Sequence, residues 1–222
     1  MLTEDYFMRM INQMLAVLTQ ILFHKEAGQY QEAQVLVNQS LEELLGVPPK
    51  LLKQMDDASL LRLLTTQGEL DPDRLAMIAE LYNLEGDLLS DESLEQEAAF
   101  DYLRSLTFFL EISLSGKDQG ISDIDGMINK LEIKLAGQKL PIEIRYRLFE
   151  HYAKQGAYFQ AEEQASYLLK EGDRLNEYLP GIINYYESQL ELTEGELLTS
   201  GVARQKLIER LDSLLELVGE HE

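Results

Sequence analysis

Three histidines, His24, His151 and His221, and 40 carboxylates set against 19 lysines and arginines are the groups that could do chemistry in this chain. Catalysis or metal binding needs such groups paired in a pocket, at spacings that bring them to one face. No two histidines form a His-x-x-x-His pattern. His24 falls where a core aromatic is expected, His151 adjoins the core Tyr152, and His221 is the penultimate residue, so all three read as core or surface side chains. Glu150 and His151 are neighbours, whereas a di-iron bundle needs them three apart. Phosphate loops, dinucleotide fingerprints and nucleophile elbows are absent from the sequence. There is no cysteine, which excludes disulfides, thiolate zinc sites and cysteine nucleophiles.

One near-match is to a calcium loop: Asp123, Asp125, Gly126, Ile128 and Glu132 reproduce part of its spacing. Its first ligand would be Ile121, which has no carboxylate, and the apolar stripe Ile121, Ile124, Ile128, Leu131 and Leu135 demands a helix through the same residues. No catalytic, metal or cofactor site is therefore expected, and the chain reads as a binding protein rather than an enzyme. Two alternatives stay open: a self-associating structural protein whose apolar first and last helices pair between copies, and a small-ligand sensor or enzyme whose site is gathered from several helices.

The formal net charge of −21 repels phosphate backbones and anionic membrane surfaces, so neither nucleic acid nor membrane is an expected partner. Basic proteins or peptides fit that charge. The apolar run from Met8 to Phe23 is preceded by Glu4 and Asp5 and interrupted by Asn12, Gln13, Thr19 and Gln20. It reads as a packed amphipathic helix rather than a signal segment, and a cytoplasmic location is expected.

Helices must position whatever the chain binds. Phe7, Ile11, Met14, Leu18, Ile21 and Leu22 follow steps of three and four, and so do Ala33, Val37, Leu41, Leu44 and Leu45 up to Gly46 and Pro48-Pro49. Asp57 is expected to cap a short helix that ends at Gly68, and Asp71-Pro72 to start one that ends at Gly86. A long helix is expected from about Asp91 to Leu114, with Phe100, Leu103, Leu106 and Leu110 on its core face. Ser115–Gly120 is the expected linker. Beyond it, helices are expected after Ser122, after Pro141, over Tyr158–Lys170 up to a break at Gly172, from near Pro180 to Leu192, and through Val202–Leu215. No sustained period of two appears, so an all-α fold without a sheet is expected. Its N-terminal region would cover residues 1–115 and its C-terminal region 121–222, joined as one continuous elongated unit.

Two places share a spacing: Gly28, Tyr30 and Ala33, and Gly156, Tyr158 and Ala161. Gly86 marks a third, with its small residue displaced to Ala98. Tyr82 and Tyr152 stand four residues before their glycines, where the first unit has His24. A glycine permits the turn between antiparallel helices, the tyrosine wedges between them, and the alanine lets them approach. This pattern resembles the tetratricopeptide repeat over about residues 14–41, 75–106 and 145–169. The glycines lie 58 and 70 residues apart, against about 34 in contiguous arrays, and the closing proline is missing. An irregular superhelix with extra helices is the expectation. The whole chain is also similar to a bacterial all-helical family of unknown function that opens with a similar Tyr-Phe-Met-Arg-Met-Ile segment, here Tyr6 to Ile11.

The tetratricopeptide resemblance implies a concave groove lined by the first helix of each pair. By position, that groove would present Asp73, Ala76, Glu80 and Asn83 in the second unit and Glu143, Tyr146, Glu150 and Lys154 in the third. The carboxylate clamp of some family members is absent, and Asp73, Glu80, Glu143 and Glu150 would favour a basic or apolar helix. From Met127 to Lys154 the charge reverses: Lys130, Lys134, Lys139, Arg145, Arg147 and Lys154 outnumber Glu132, Glu143 and Glu150. This segment is expected to contact an acidic region of its own chain or of a second copy in a homodimer, or to remain a solvated face.

Overall fold

The computed structural model describes residues 2–66, 69–116, 121, 123–170, 175–199 and 201–219. The fold is all-α: twelve helices account for almost all regular structure among the described residues. The chain divides into two compact units, Met1–Lys139 and Leu140–Glu222.

In the first unit, α1 (Leu2–Glu26) and α2 (Tyr30–Leu45) form a hairpin. Gly28 at its turn has φ +70°, a left-handed conformation that a Cβ would strain. Ala33 is fully buried where α2 meets α1, and Tyr30 is half-buried. Gly46 closes α2 with φ +68°, and its N–H donates to the Glu42 carbonyl. The short helices α3 (Pro49–Leu52) and α4 (Asp57–Leu63) follow. Asp56, not Asp57, is the N-cap of α4: its carboxylate accepts from the Ser59 N–H at 2.6 Å, leaving Asp57 free to point elsewhere. The expectation of no sheet needs one small amendment. β1 (Thr65–Thr66) and β2 (Glu69–Leu70) pair antiparallel. The expected stop at Gly68 lies outside the described residues.

Asp71 and Pro72 start α5 (Pro72–Asp91) as their types require, with the Asp71 carboxylate accepting from the Arg74 N–H at 3.1 Å. The expected end at Gly86 is wrong. Gly86 lies inside α5, which runs on to Asp91, and α6 (Glu95–Ser115) starts later than expected. Gly86 serves packing, not turning: a Cβ there would lie 2.6 Å from Cε1 of Tyr102 on α6. The true turn, Glu92–Leu94, contains neither glycine nor proline. Ser93 takes the left-handed conformation at φ 64°, and the Leu94 N–H donates to the Leu89 carbonyl at 2.9 Å.

α7 (Ile124–Lys134) packs on α6, which is why the first unit extends to Lys139 rather than stopping at residue 115. The helix runs through most of the partial calcium-loop spacing. The expected Ser122 cap, the linker residues 117–120 and Gly172 lie outside the described residues. Leu75, Ile78, Leu81, Leu88, Leu106, Phe108 and Leu110 are fully buried between α5, α6 and their neighbours. Each contributes about 1.5–3 kcal/mol of transfer free energy.

The second unit begins with the hairpin of α8 (Ile142–Gln155) and α9 (Tyr158–Leu168). Gly156 turns it with φ +69°, Tyr152 and Tyr158 are buried, and Ala161 is fully buried. α10 (Leu175–Leu190) begins ahead of the expected start and contains Pro180. It packs on α12 (Arg204–Gly219), with the short α11 (Glu194–Thr199) between them in sequence. Arg204 donates to the Leu190 and Leu192 carbonyls, which serve no later helical turn.

Candidate functional site

α5 carries two stripes that bear polar groups, each following helical spacing. One stripe is Glu80, Asn83 and Asp87; the other is Tyr82, Glu85 and Leu89. They have opposite fates.

The first stripe includes two of the expected groove residues of the second unit, Glu80 and Asn83, and the chain's own cations occupy it. Lys134 of α7 donates to Asn83 Oδ1 at 2.7 Å and to Asp87 Oδ1 at 2.5 Å. Asn83 is buried and donates to Glu80 at 3.3 Å. Asp87 also accepts from Tyr102 at 2.8 Å and from Lys25 of α1 at 3.3 Å. Burial would raise the Asp87 carboxyl, but the hydrogen bonds from Lys134 and Tyr102 and the two lysine charges outweigh it and hold the group low. Glu80 is raised, chiefly by burial. Asp73 is half-buried and raised by burial and by Asp71. The cation-rich segment expected to seek an acidic face thus meets one on its own chain through Lys134.

In the second unit, Glu143 is exposed, while Glu150 is half-buried and raised by burial. Tyr146 stacks against Tyr178 of α10 at 4.6 Å and lies directly over Gly181. The remaining histidines are also placed: His24 is half-buried, with Nδ1 2.6 Å from Gln29 Oε1, and His151 is buried beside Gln155. His221 lies outside the described residues. Among the described residues no three His, Asp or Glu side chains are grouped to hold a metal ion.

The second stripe opens into a cleft of about 470 Å³, lined by Tyr82, Glu85 and Leu89 from α5 and by Gln96, Glu97, Phe100, Asp101 and Arg104 from α6, with Lys53 at the end of α3. The α6 residues Glu97, Phe100, Asp101 and Arg104 recur at steps of three and four, so one helix face delivers them all. Three of its five charged members are unusually deep: Glu85, Asp101 and Arg104 are 2%, 8% and 4% exposed.

Arg104 is fully committed. Its Nε donates to Asp57 at 2.8 Å, Nη2 to the Met55 carbonyl at 2.7 Å and Nη1 to the Tyr82 hydroxyl at 3.4 Å. Its guanidinium also lies 5.1 Å from the Tyr82 ring centre and 4.8 Å from that of Phe100. Glu85 is paired with Lys53, Nζ to Oε1 at 3.0 Å, although the Lys53 side chain is 63% exposed. Burial would lower Lys53, but the charge and hydrogen bond of Glu85, with a smaller contribution from the charge of Asp101, overcome it and raise the ammonium. Tyr82 is pushed up to about 12, mainly by burial.

Asp101 stands apart. It makes no hydrogen bond and no ion pair with the described residues. Burial, then the neighbouring Glu85, push its carboxyl up to about 7, against weaker opposition from Lys53 and Arg104. Sequence reading missed this site because it took Phe100 with the core face of the helix and singled out neither Asp101 nor Arg104. In the fold Phe100 is 52% exposed and both charged residues are buried. The signal present in the sequence was the pair of charge-bearing stripes.

Fold and cleft together define an all-α protein of helical hairpins with an acidic cleft between two of its helices. The chain belongs to the family of unknown function DUF6483, whose model matches residues 1–219. No curated protein and no solved structure matches the chain.

Proposed function

We propose that this protein is a non-catalytic binding module that recognises a positively charged segment of a partner protein, with the α5–α6 cleft as the recognition point. The buried, unpartnered Asp101 carries this reading. A carboxylate that lies 8% exposed in a cleft with no hydrogen bond or ion pair is costly to charge, and a cation supplied through the cleft mouth relieves that cost. The net charge of −21 supports it by drawing basic partners and repelling acidic ones. The exposed Phe100 offers an apolar edge beside the charge, a combination suited to a basic side chain with an aliphatic stem. The hairpins resemble tetratricopeptide units in their Gly28 and Gly156 turns and in the buried Ala33 and Ala161, and helix-pair scaffolds of that kind present partner-binding surfaces. A cytoplasmic location fits the reading; among the described residues no helix is long and apolar enough to cross a membrane.

Fluorescence polarisation with a panel of lysine-rich, arginine-rich and glutamate-rich peptides tests the proposal. Basic peptides are expected to bind the wild-type chain, and Asp101→Asn or Glu85→Gln to weaken them. Equal affinity of the variants for basic peptides, or preference for the acidic ones, would remove the cleft as the recognition point.

A further inference from the structure

We propose that the α5–α6 cleft receives one primary alkylammonium group, which pairs with Asp101 beside the ion pair that Lys53 already makes with Glu85. This rests on the reading of the cleft as a cation-recognition point and names the cation.

Charge accounting within the cleft leads there. Arg104 is balanced by Asp57 and Lys53 by Glu85. Asp101, 8% exposed, lines the same cleft and makes no ion pair; Lys53 and Arg104 act on it only from a distance and do not offset its burial and the charge of Glu85. One more positive charge completes the set. Glu97, exposed at the mouth, adds attraction from outside.

The type of cation follows from what the cleft already holds. Lys53 reaches an almost fully buried glutamate while most of its own side chain stays in solvent. An alkyl stem leading to an ammonium is thus a shape this cleft accepts at the adjoining carboxylate. A guanidinium is matched less well. It binds best to paired, coplanar acceptors, and one acid of the pair is held by Lys53 while the aromatic faces of Phe100 and Tyr82 are occupied by Arg104. A divalent metal would have two acids beside two fixed cations, and no third ligand is grouped there among the described residues. The stem would run along Leu89 and Phe100.

Binding is coupled to pH. The groups facing Asp101 are Glu85 and Tyr82 from α5, Lys53 from α3, and Arg104 and Glu97 on its own helix, with Asp57 of α4 behind Arg104. Asp101 must lose its proton to pair with the ligand. Its carboxyl titrates at about 7, so affinity is expected to fall about tenfold from pH 8 to pH 6.

Isothermal titration calorimetry on the full chain tests this with three probes: N-acetyl-lysine methylamide, 1,4-diaminobutane and N-acetyl-arginine methylamide. The two amines are expected to bind at one site per chain, about tenfold more weakly at pH 6 and at least tenfold more weakly in Asp101→Asn. Tighter binding of the lysine amide identifies a protein side chain as the source; tighter binding of the diamine identifies a free amine. If Asp101→Asn does not fold, Lys53→Met at an exposed position decides: freeing Glu85 is expected to raise the stoichiometry from one amine to two, and an unchanged titration would overturn the placement. Binding of the arginine amide alone overturns the ammonium assignment and leaves the cationic-partner reading intact. Silence from all three probes, with peptide binding still sensitive to Asp101→Asn, overturns this inference alone. Silence from probes and insensitive peptides overturns both.

Discussion

The replacement Asp101→Asn isolates the energetics of the cleft from any ligand. In the unfolded chain an aspartate titrates near 3.8, whereas in the fold Asp101 is held up at about 7. Between those values the folded state keeps a proton that the unfolded state has released, so stability falls as pH rises. Each unit of difference corresponds to about 1.4 kcal/mol, giving a loss of about 4 kcal/mol across the whole window. Asparagine keeps the shape and does not titrate. Urea unfolding followed by far-UV circular dichroism at pH 5, 6, 7 and 8 gives the stability of each protein. The stability of the variant minus that of the wild type is expected to increase by about 3 kcal/mol from pH 5 to pH 8, since about two units of the window are crossed. The constant offset between the curves reflects the amide's own fit; the slope reports the titration. Parallel pH profiles would refute the reasoning, because they would mean that Asp101 reaches water or a partner and is not stranded beside Glu85.

Other outcomes follow from the same geometry. Gly86→Ala should destabilise the first unit by about 1–3 kcal/mol despite alanine's higher helix propensity, because its Cβ would meet the Tyr102 ring; thermal unfolding measures it. Arg104→Lys should cost about 2–4 kcal/mol, since an ammonium cannot reach Asp57, the Met55 carbonyl and the Tyr82 hydroxyl together, and chemical denaturation would reveal it. Lys134→Met should raise the Asp87 carboxyl from its lowered position and speed amide hydrogen exchange in α7 relative to α6, which NMR resolves residue by residue.

How far the sequence reaches is clearest in α5. Its start was legible because Asp71 and Pro72 act locally: one carboxylate meets one N–H three residues on, and a proline sits where no donor is needed. The αL turns at Gly28, Gly46 and Gly156 were legible for the same reason, since their requirement is a φ that glycine alone meets cheaply. Gly86 looked identical in the sequence but answers to a ring 16 residues away, and the actual turn uses Ser93, a residue type that announces nothing. The all-α fold and the hairpin pairs rest on periodicity, which a single chain displays openly.

The cleft depended on something else. A stripe of charge on a helix ordinarily faces water, and composition gives no reason to bury Glu85, Asp101 and Arg104 while exposing Phe100. The decision came from what packs around α6: α5 on one side, α7 on another, and the segment from Lys53 to Asp57 supplying Arg104 with its acceptors. Likewise Asn83, one of the expected groove residues, is engaged from within because α7 brings Lys134 to it and to Asp87. The sequence by itself determined which segments are helical, where the local caps and left-handed turns lie, and that the chain is strongly acidic, because each depends on neighbours within about a turn. The tertiary structure decided which acids are neutralised from within and which one is left in the cleft without a partner, because burial and charge pairing depend on contacts between residues far apart in the chain.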